Sequence, residues 1–218
     1  HVAKSSRLIV NEHAVEYIVK DSISEAVSGI PGPVFLACPV DIMKKEIPYT
    51  PAKFVLPDIQ KGFDPTGMEE VVELLQKKKP AMIWAGYDCK IFKAHDKLLE
   101  LAETFQIPIA TTSHSKGIIP DDHPLALGAI GLGAEGFAKK YLFDQKIELL
   151  IAAGCRFGEL TTYGWDKRIT ASHFVRIDGM PSYTHLDYPG DIKLTGNIRD
   201  ILDSLIKTHK ESGIELED

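Results

Sequence analysis

The feature that most constrains this chain is a recurring alternation of two patterns. A short apolar run is followed by a longer stretch whose apolar residues return every three or four positions. Apolar runs fall at 34–38, 81–85, 107–110 and 149–153, the last within a strand predicted at 148–153, with further strands predicted at 173–178 and 192–194. Runs of this length without polar alternation suit strands buried on both faces of a parallel sheet. Between them lie helical stripes: Met68, Val71, Val72 and Leu75; then His95, Leu98, Leu99, Ala102 and Phe105; then a helix near 134–143; then Ile198, Ile201, Leu202 and Leu205. Strands alternating with helices predict an α/β fold, a Rossmann-like, doubly wound, mainly parallel sheet with helices on both faces.

Boundaries follow from turn chemistry. Asn11 is placed to cap a helix carrying Val15, Ile18, Val19 and Ile23 that ends near Gly29. The run 34–38 follows it, closed by Pro39. Residues 46–67 hold Pro48, Pro51, Pro57 and Pro65 without periodicity and read as an extended linker. Thr66 and Glu69 have the spacing of a capping box, and Pro80 stops the helix that they open. The helix and strand within residues 1–47 have no sheet of their own in this reading. They are therefore expected to be the tail of a domain whose beginning lies outside the chain. The predicted organisation is 1–47 as that remnant, 48–65 as linker, 66–208 as the principal domain and 209–218 as a tail.

Composition removes several classes of function. The chain has 218 residues, with 25 basic against 31 acidic side chains and a net charge of −6. This acidic balance argues against nucleic acid or an anionic membrane as the main partner. No apolar run approaches the ~20 residues of a membrane helix. Cys38, Cys89 and Cys155 are odd in number and far apart. They suggest neither a disulfide framework nor a metal site, but a reducing, cytoplasmic setting.

In open parallel sheets, ligands bind where strands end at their carboxyl termini. Four loops occupy such positions: Gly86-Tyr87-Asp88, 111–117, Gly154-Cys155-Arg156 and Asp178-Gly179. They offer amides, hydroxyls, the cations Lys116 and Arg156, and an acid, a set suited to a nucleotide's phosphate and ribose. The plain alternative is that the glycines only turn the chain. Gly131-Leu132-Gly133-Ala134-Glu135-Gly136 matches G-x-G-x-x-G, yet 124–130 reads as a poor strand and other strands precede it. The dinucleotide reading needs a first strand there, so a glycine-rich helix start is expected instead. Asp121-Asp122-His123 and nearby His114 read as a capped surface loop, not a metal cluster. Cys155 has no histidine placed to serve as its base, and Ser113-His114-Ser115 lacks a nucleophile elbow. No general acid–base pair stands out.

The loops also carry a family resemblance. Residues 107–112 (Ile-Pro-Ile-Ala-Thr-Thr), Lys116-Gly117, 119–125, Leu127-Gly128, 149–157, Ile177-Asp178 and Thr195-Gly196-Asn197 resemble the middle domain of acetolactate synthase large subunits and related thiamine diphosphate enzymes. Residues 32–41 resemble the end of that family's N-terminal pyrimidine-binding domain. The resemblance implies a three-domain parent, a 2-oxo acid decarboxylase or carboligase using thiamine diphosphate and Mg²⁺. The family's activating glutamate and its G-D-G…N motif lie in the other two domains. Gly190-Asp191 runs into Ile192 and does not supply that motif, so this chain is expected to be inactive alone. Its partners would be the N- and C-terminal domains, a small 2-oxo acid and further subunits of a dimer or tetramer. Middle domains of the family bind FAD, ADP or nothing. Carried over residue by residue, the cofactor-binding candidates are Gly86, Thr111, Thr112, Lys116, Gly117, Gly154, Arg156 and Asp178. The family's Asp-Asp-Arg is replaced here by Gly158-Glu159-Leu160, which weakens the case for flavin. The alternative reading is a free-standing NAD- or nucleotide-binding module.

Overall fold

The computed structural model describes residues 2–29, 31–48, 62–77, 79–134, 136–179 and 188–214. The chain divides into two compact units, His1–Gln60 and Lys61–Asp218.

In the first unit, strand β1 (Ser5–Leu8) leads through a 3₁₀ turn into helix α1 (Val15–Val27), then strand β2 (Val34–Ala37) and the short helix α2 (Val40–Met43). The Asn11 side chain accepts from the Ala14 amide at 3.0 Å, opening that turn as its sequence position predicts. The expectation that 34–38 lacks a sheet neighbour is corrected: β2 pairs in parallel with β1, Ser5 opposite Val34 and Leu8 opposite Ala37. Nor is the strand covered on both faces within this unit, because Phe35 is 59% exposed. Strand β1 escapes a reading based on apolar runs because Ser-Ser-Arg-Leu has none. Its Arg7 is satisfied by Asp21 and Glu25 of α1.

The second unit contains a six-stranded, wholly parallel sheet in the order β5-β4-β3-β6-β7-β8. Its strands are β3 (Ala81–Ala85), β4 (Ile109–Thr112), β5 (Ala126–Ile130), β6 (Leu149–Ala153), β7 (His173–Asp178) and β8 (Ile192–Thr195). The helices are α3 (Met68–Gln76), α4 (Tyr87–Ile91), α5 (His95–Phe105), α6 (Phe137–Asp144) and α7 (Ile198–Ser212). Alternate residues of β3 show the doubly wound design. Ala81, Ile83 and Ala85 face a core with α3, α5 and α7, while Met82 and Trp84 face one with α6 and the loop after β6. Every residue of β3 and β6 is buried, which explains why these strands read as unbroken apolar runs.

Three local expectations are corrected. Helix α3 is not opened by a Thr66–Glu69 capping box. Gly67, at φ 84°, occupies the cap position, and Asp64 instead accepts from the Thr66 amide at 2.9 Å, making a turn of Asp64-Pro65-Thr66-Gly67. The strand predicted at 107–110 lies two residues later, so Thr111 and Thr112 belong to β4 itself. Residues 124–130 are not irregular but hold β5, an edge strand whose Ala-Leu-Gly-Ala composition and left-handed Gly128 (φ 86°) hide it from propensity. Most of the predicted linker (49–61) and residues 215–218 of the predicted tail lie outside the described residues. Helix α7 itself runs beyond residue 208 to Ser212. Among the described residues, no helix is long and apolar enough to cross a membrane.

Candidate functional site at the carboxyl edge of the sheet

The strand order reverses direction between β3 and β6, and the four loops singled out above follow four adjacent strands, β4, β3, β6 and β7. With ~4.8 Å between neighbouring parallel strands, they form one continuous edge.

At the reversal itself the backbone is closely packed. The Gly86 amide donates to the Ala153 carbonyl at 2.7 Å, and the Gly154 amide to the Ile177 carbonyl at 2.8 Å. A Cβ on Gly86 would land on the Gly154 carbonyl, and one on Gly154 (φ 63°) would meet the Cys89 amide and the Asp88 side chain. These two glycines are required by the approach of one loop to the other. That packing sets Asp88, in the first turn of α4, against Arg156. The Arg156 Nη2 and Nε donate to Asp88 Oδ1 at 2.8 and 3.3 Å. The Asp88 side chain is 4% exposed and that of Arg156 44%. Burial raises the Asp88 carboxyl above its ordinary value, with Arg156 pulling the other way. The Arg156 guanidinium lies 6.0 Å from the centre of the Tyr87 ring. The Tyr87 ring stands edge-on to His114 at 6.4 Å.

The remaining candidates divide in two. Lys116 and Gly117 are exposed, and Gly117 (φ 87°) has open space around its Cα. Thr111 and Thr112 are buried, and the Thr112 hydroxyl is engaged by Ser115 at 2.5 Å while Ser115 donates to the Ala85 carbonyl at 2.8 Å. The Thr112 and Ser115 hydroxyls brace the β4 loop to the end of β3. Asp178 is buried against Arg176, whose Nη2 sits 2.8 Å from Asp178 Oδ2. Burial raises the Asp178 carboxyl, which Arg176 opposes and the negative charge of Asp88 reinforces. Arg176 is itself fully buried and also donates to the Tyr188 carbonyl at 2.9 Å, with its guanidinium 5.1 Å over the Phe157 ring. The reading of residues did not single out Tyr87, Asp88, Ser115 or Arg176 individually. A signal existed for Arg176, a charged residue inside the run His-Phe-Val-Arg-Ile-Asp, since a mid-strand charge in a buried sheet needs a partner.

The other motifs have structural roles. Gly131 donates its amide to the Tyr163 hydroxyl at 3.2 Å, and a Cβ there would meet the Leu160 carbonyl. Its glycine serves contact with the loop after β6, on an edge strand and not a first strand, so the G-x-G-x-x-G lacks the context of dinucleotide binding. His123 pairs with Glu103 at 3.1 Å and accepts from the Leu125 amide. Cys155 Sγ lies 3.0 Å from the Trp84 carbonyl, and burial pushes its thiol well above the usual range. Such a thiol is a packed residue and not a nucleophile. Asp191, of Gly190-Asp191, accepts from the Phe174 amide at 2.7 Å while Gly190 packs on Arg176. These residues do not fit a magnesium–diphosphate site, and the described residues contain no cluster of metal-ligating side chains.

Residues 68–205 match the family model described as thiamine pyrophosphate enzyme, central domain. The chain is 32% identical over 187 residues to a probable acetolactate synthase large subunit of Methanocaldococcus jannaschii, covering 83% of this chain and 31% of that protein. It is 26% identical to an acetolactate synthase of Arthrospira platensis, covering 94% and 37%. The chain thus spans about a third of the length of these curated relatives. In fold it is similar to the benzoylformate decarboxylase of Polynucleobacter necessarius, with a TM-score of 0.73, 21% identity, and coverage of 99% of this chain and 39% of that one. A six-stranded parallel sheet of this order and a family match over most of the chain agree: this chain belongs to the central-domain family of the thiamine pyrophosphate enzymes.

Proposed function

We propose that this chain serves as the central domain of a thiamine diphosphate-dependent 2-oxo acid decarboxylase or carboligase of the acetolactate synthase type, acting in the cytoplasm. In this reading residues 1–47 are the end of a pyrimidine-binding domain, 48–65 a linker and 66–208 the central domain. Thiamine diphosphate and Mg²⁺ belong to other domains of an oligomeric parent, and the chain alone turns over no substrate. The chemistry that cofactor supplies is decarboxylation of a 2-oxo acid and transfer of the resulting carbanion. The residues here hold and orient; among the described residues none is arranged as an acid–base pair for it.

The observation that carries the reading of the site is the shared edge of four adjacent strands, where Tyr87, Lys116, Gly117 and Arg156 are exposed above a closely packed Gly86–Gly154 floor. Exposed cations, a ring face and the open space around Gly117 suit an adenine nucleotide of the ADP type. Gly158-Glu159-Leu160 offers a single charged side chain, which favours ADP over FAD. Thermal melting of the whole chain with ADP, FAD, NAD and thiamine diphosphate tests this directly. Binding to the folded state alone contributes about 2.7 kcal/mol at 100 times the dissociation constant. A shift with ADP that is reduced by Arg156→Ala, which leaves Asp88 unbalanced, supports the site. No shift with any nucleotide makes the domain a scaffold only, and a shift with NAD alone favours the free-standing module.

A further inference from the structure

The carboxyl edge contains two arginine–carboxylate pairs, and both are charge-balanced within the protein. Arg176 and Asp178 are buried together. Asp88 is nearly inaccessible, while its partner Arg156 reaches solvent beside the Tyr87 ring. A cation meant only to attract phosphate needs no buried counter-charge. Held within 3.3 Å of a carboxylate through both Nε and Nη2, this guanidinium keeps its planar hydrogen-bonding geometry but presents little net charge. The Asp88 backbone is pinned, because its amide donates to the Gly154 carbonyl at 3.3 Å and its Cβ lies so near Gly154 that a methyl there would crowd it.

We infer that Asp88 is a specificity-determining residue of this edge, a fixed counter-charge that makes Arg156 an orienting arm and weakens its pull on the phosphates of an ADP-type ligand. The inference rests on the nucleotide reading of the site. The phosphates of that ligand are then drawn chiefly by Lys116, which is exposed in the loop after β4. Asp178 does not contribute to this selection, since its charge is balanced by Arg176 beneath the surface.

The experiment is calorimetric titration of the full chain with ADP, inorganic pyrophosphate and adenosine, for the wild type, Asp88→Asn, and the double variant Asp88→Asn/Arg156→Gln. Asn keeps the shape and an acceptor for Arg156 while removing the charge. Asp88→Asn is expected to bind ADP and pyrophosphate about tenfold tighter, with steeper salt dependence, and adenosine unchanged. The double variant, again neutral, should return to within about threefold of wild type for ADP. It also serves where the single variant folds poorly, because it leaves no unbalanced charge. ADP binding by Asp88→Asn but not by the wild type supports the inference as well. Equal or weaker ADP binding by a folded Asp88→Asn, or an equal gain for adenosine, overturns it while leaving the nucleotide site standing. Absence of binding by every form to every probe overturns the site and the inference together.

Discussion

Arg176→Met tests how the floor of the edge is held. The wild-type guanidinium is fully buried and donates to Asp178, to the Tyr188 carbonyl and, at 3.5 Å, to the Cys155 carbonyl. Methionine fills most of the volume and leaves the Asp178 carboxylate, 8% exposed, without its cation. Breaking one side of a buried ion pair costs about 3–5 kcal/mol, whereas replacing both sides is close to neutral. For a chain of this size that corresponds to a fall in melting temperature of roughly 6–20 °C. Urea denaturation followed by fluorescence of Trp84, whose ring packs at 5.6 Å against Phe157, reads the change in midpoint. Arg176→Met/Asp178→Leu should recover most of the loss. The pH response supplies a second check. Asp178 has a folded pKa raised by burial above its unfolded value, so it disfavours the folded state as pH rises through that window. Loss of Arg176 raises the pKa further and extends the penalty toward neutrality. Acidification from pH 7 to 5 should therefore restore part of the variant's stability, and the double variant should show no such recovery. A loss under 1 kcal/mol, or a double variant no better than the single, would refute the argument.

Other outcomes follow from the same geometry. Gly86→Ala drives a methyl into the Gly154 carbonyl and should lower stability by about 2–3 kcal/mol, measured as a shift of the urea midpoint at constant slope. Tyr163→Phe removes the acceptor of the Gly131 amide and should cost about 1–2 kcal/mol, with faster amide exchange at Gly131. Asp96 is held at about 2 by Arg199, the pair joining α5 to α7. Its folded pKa is depressed, so its contribution is present above the ordinary 3.8 and fades as pH falls toward 2. Because both side chains are well exposed, that contribution stays below about 1 kcal/mol, and Arg199→Ala should flatten the melting curve against pH only across that window.

Much of the architecture was legible because burial on both faces leaves a simple trace. Residues 81–85 and 149–153 lie at the centre of the sheet and carry no polar residue, so composition alone marks them. Edge strands leave no such trace. Strand β1, Ser-Ser-Arg-Leu, depends on carboxylates presented by α1, and β5 carries a left-handed glycine and half-exposed alanines. Helix α3 shows a different limit. Thr66 and Glu69 satisfy the spacing of a capping box, but the competing turn at Asp64 and Gly67 takes the chain first.

For the site, sequence alone was enough to place Gly86, Thr111, Lys116, Gly154, Arg156 and Asp178 at strand ends, because a parallel sheet sends every such end to one side. That alternation of strand and helix, together with the family's loop residues, determined the fold class and the family. Only the tertiary structure decided that the four loops follow neighbouring strands, since strand order depends on which crossovers turn back across the sheet. It alone paired Asp88 with Arg156 across 68 positions, and placed Arg176 under Asp178. Pairing of charges is a property of distance in space and of shared exclusion from water. Neither is encoded in the neighbourhood of either residue along the chain.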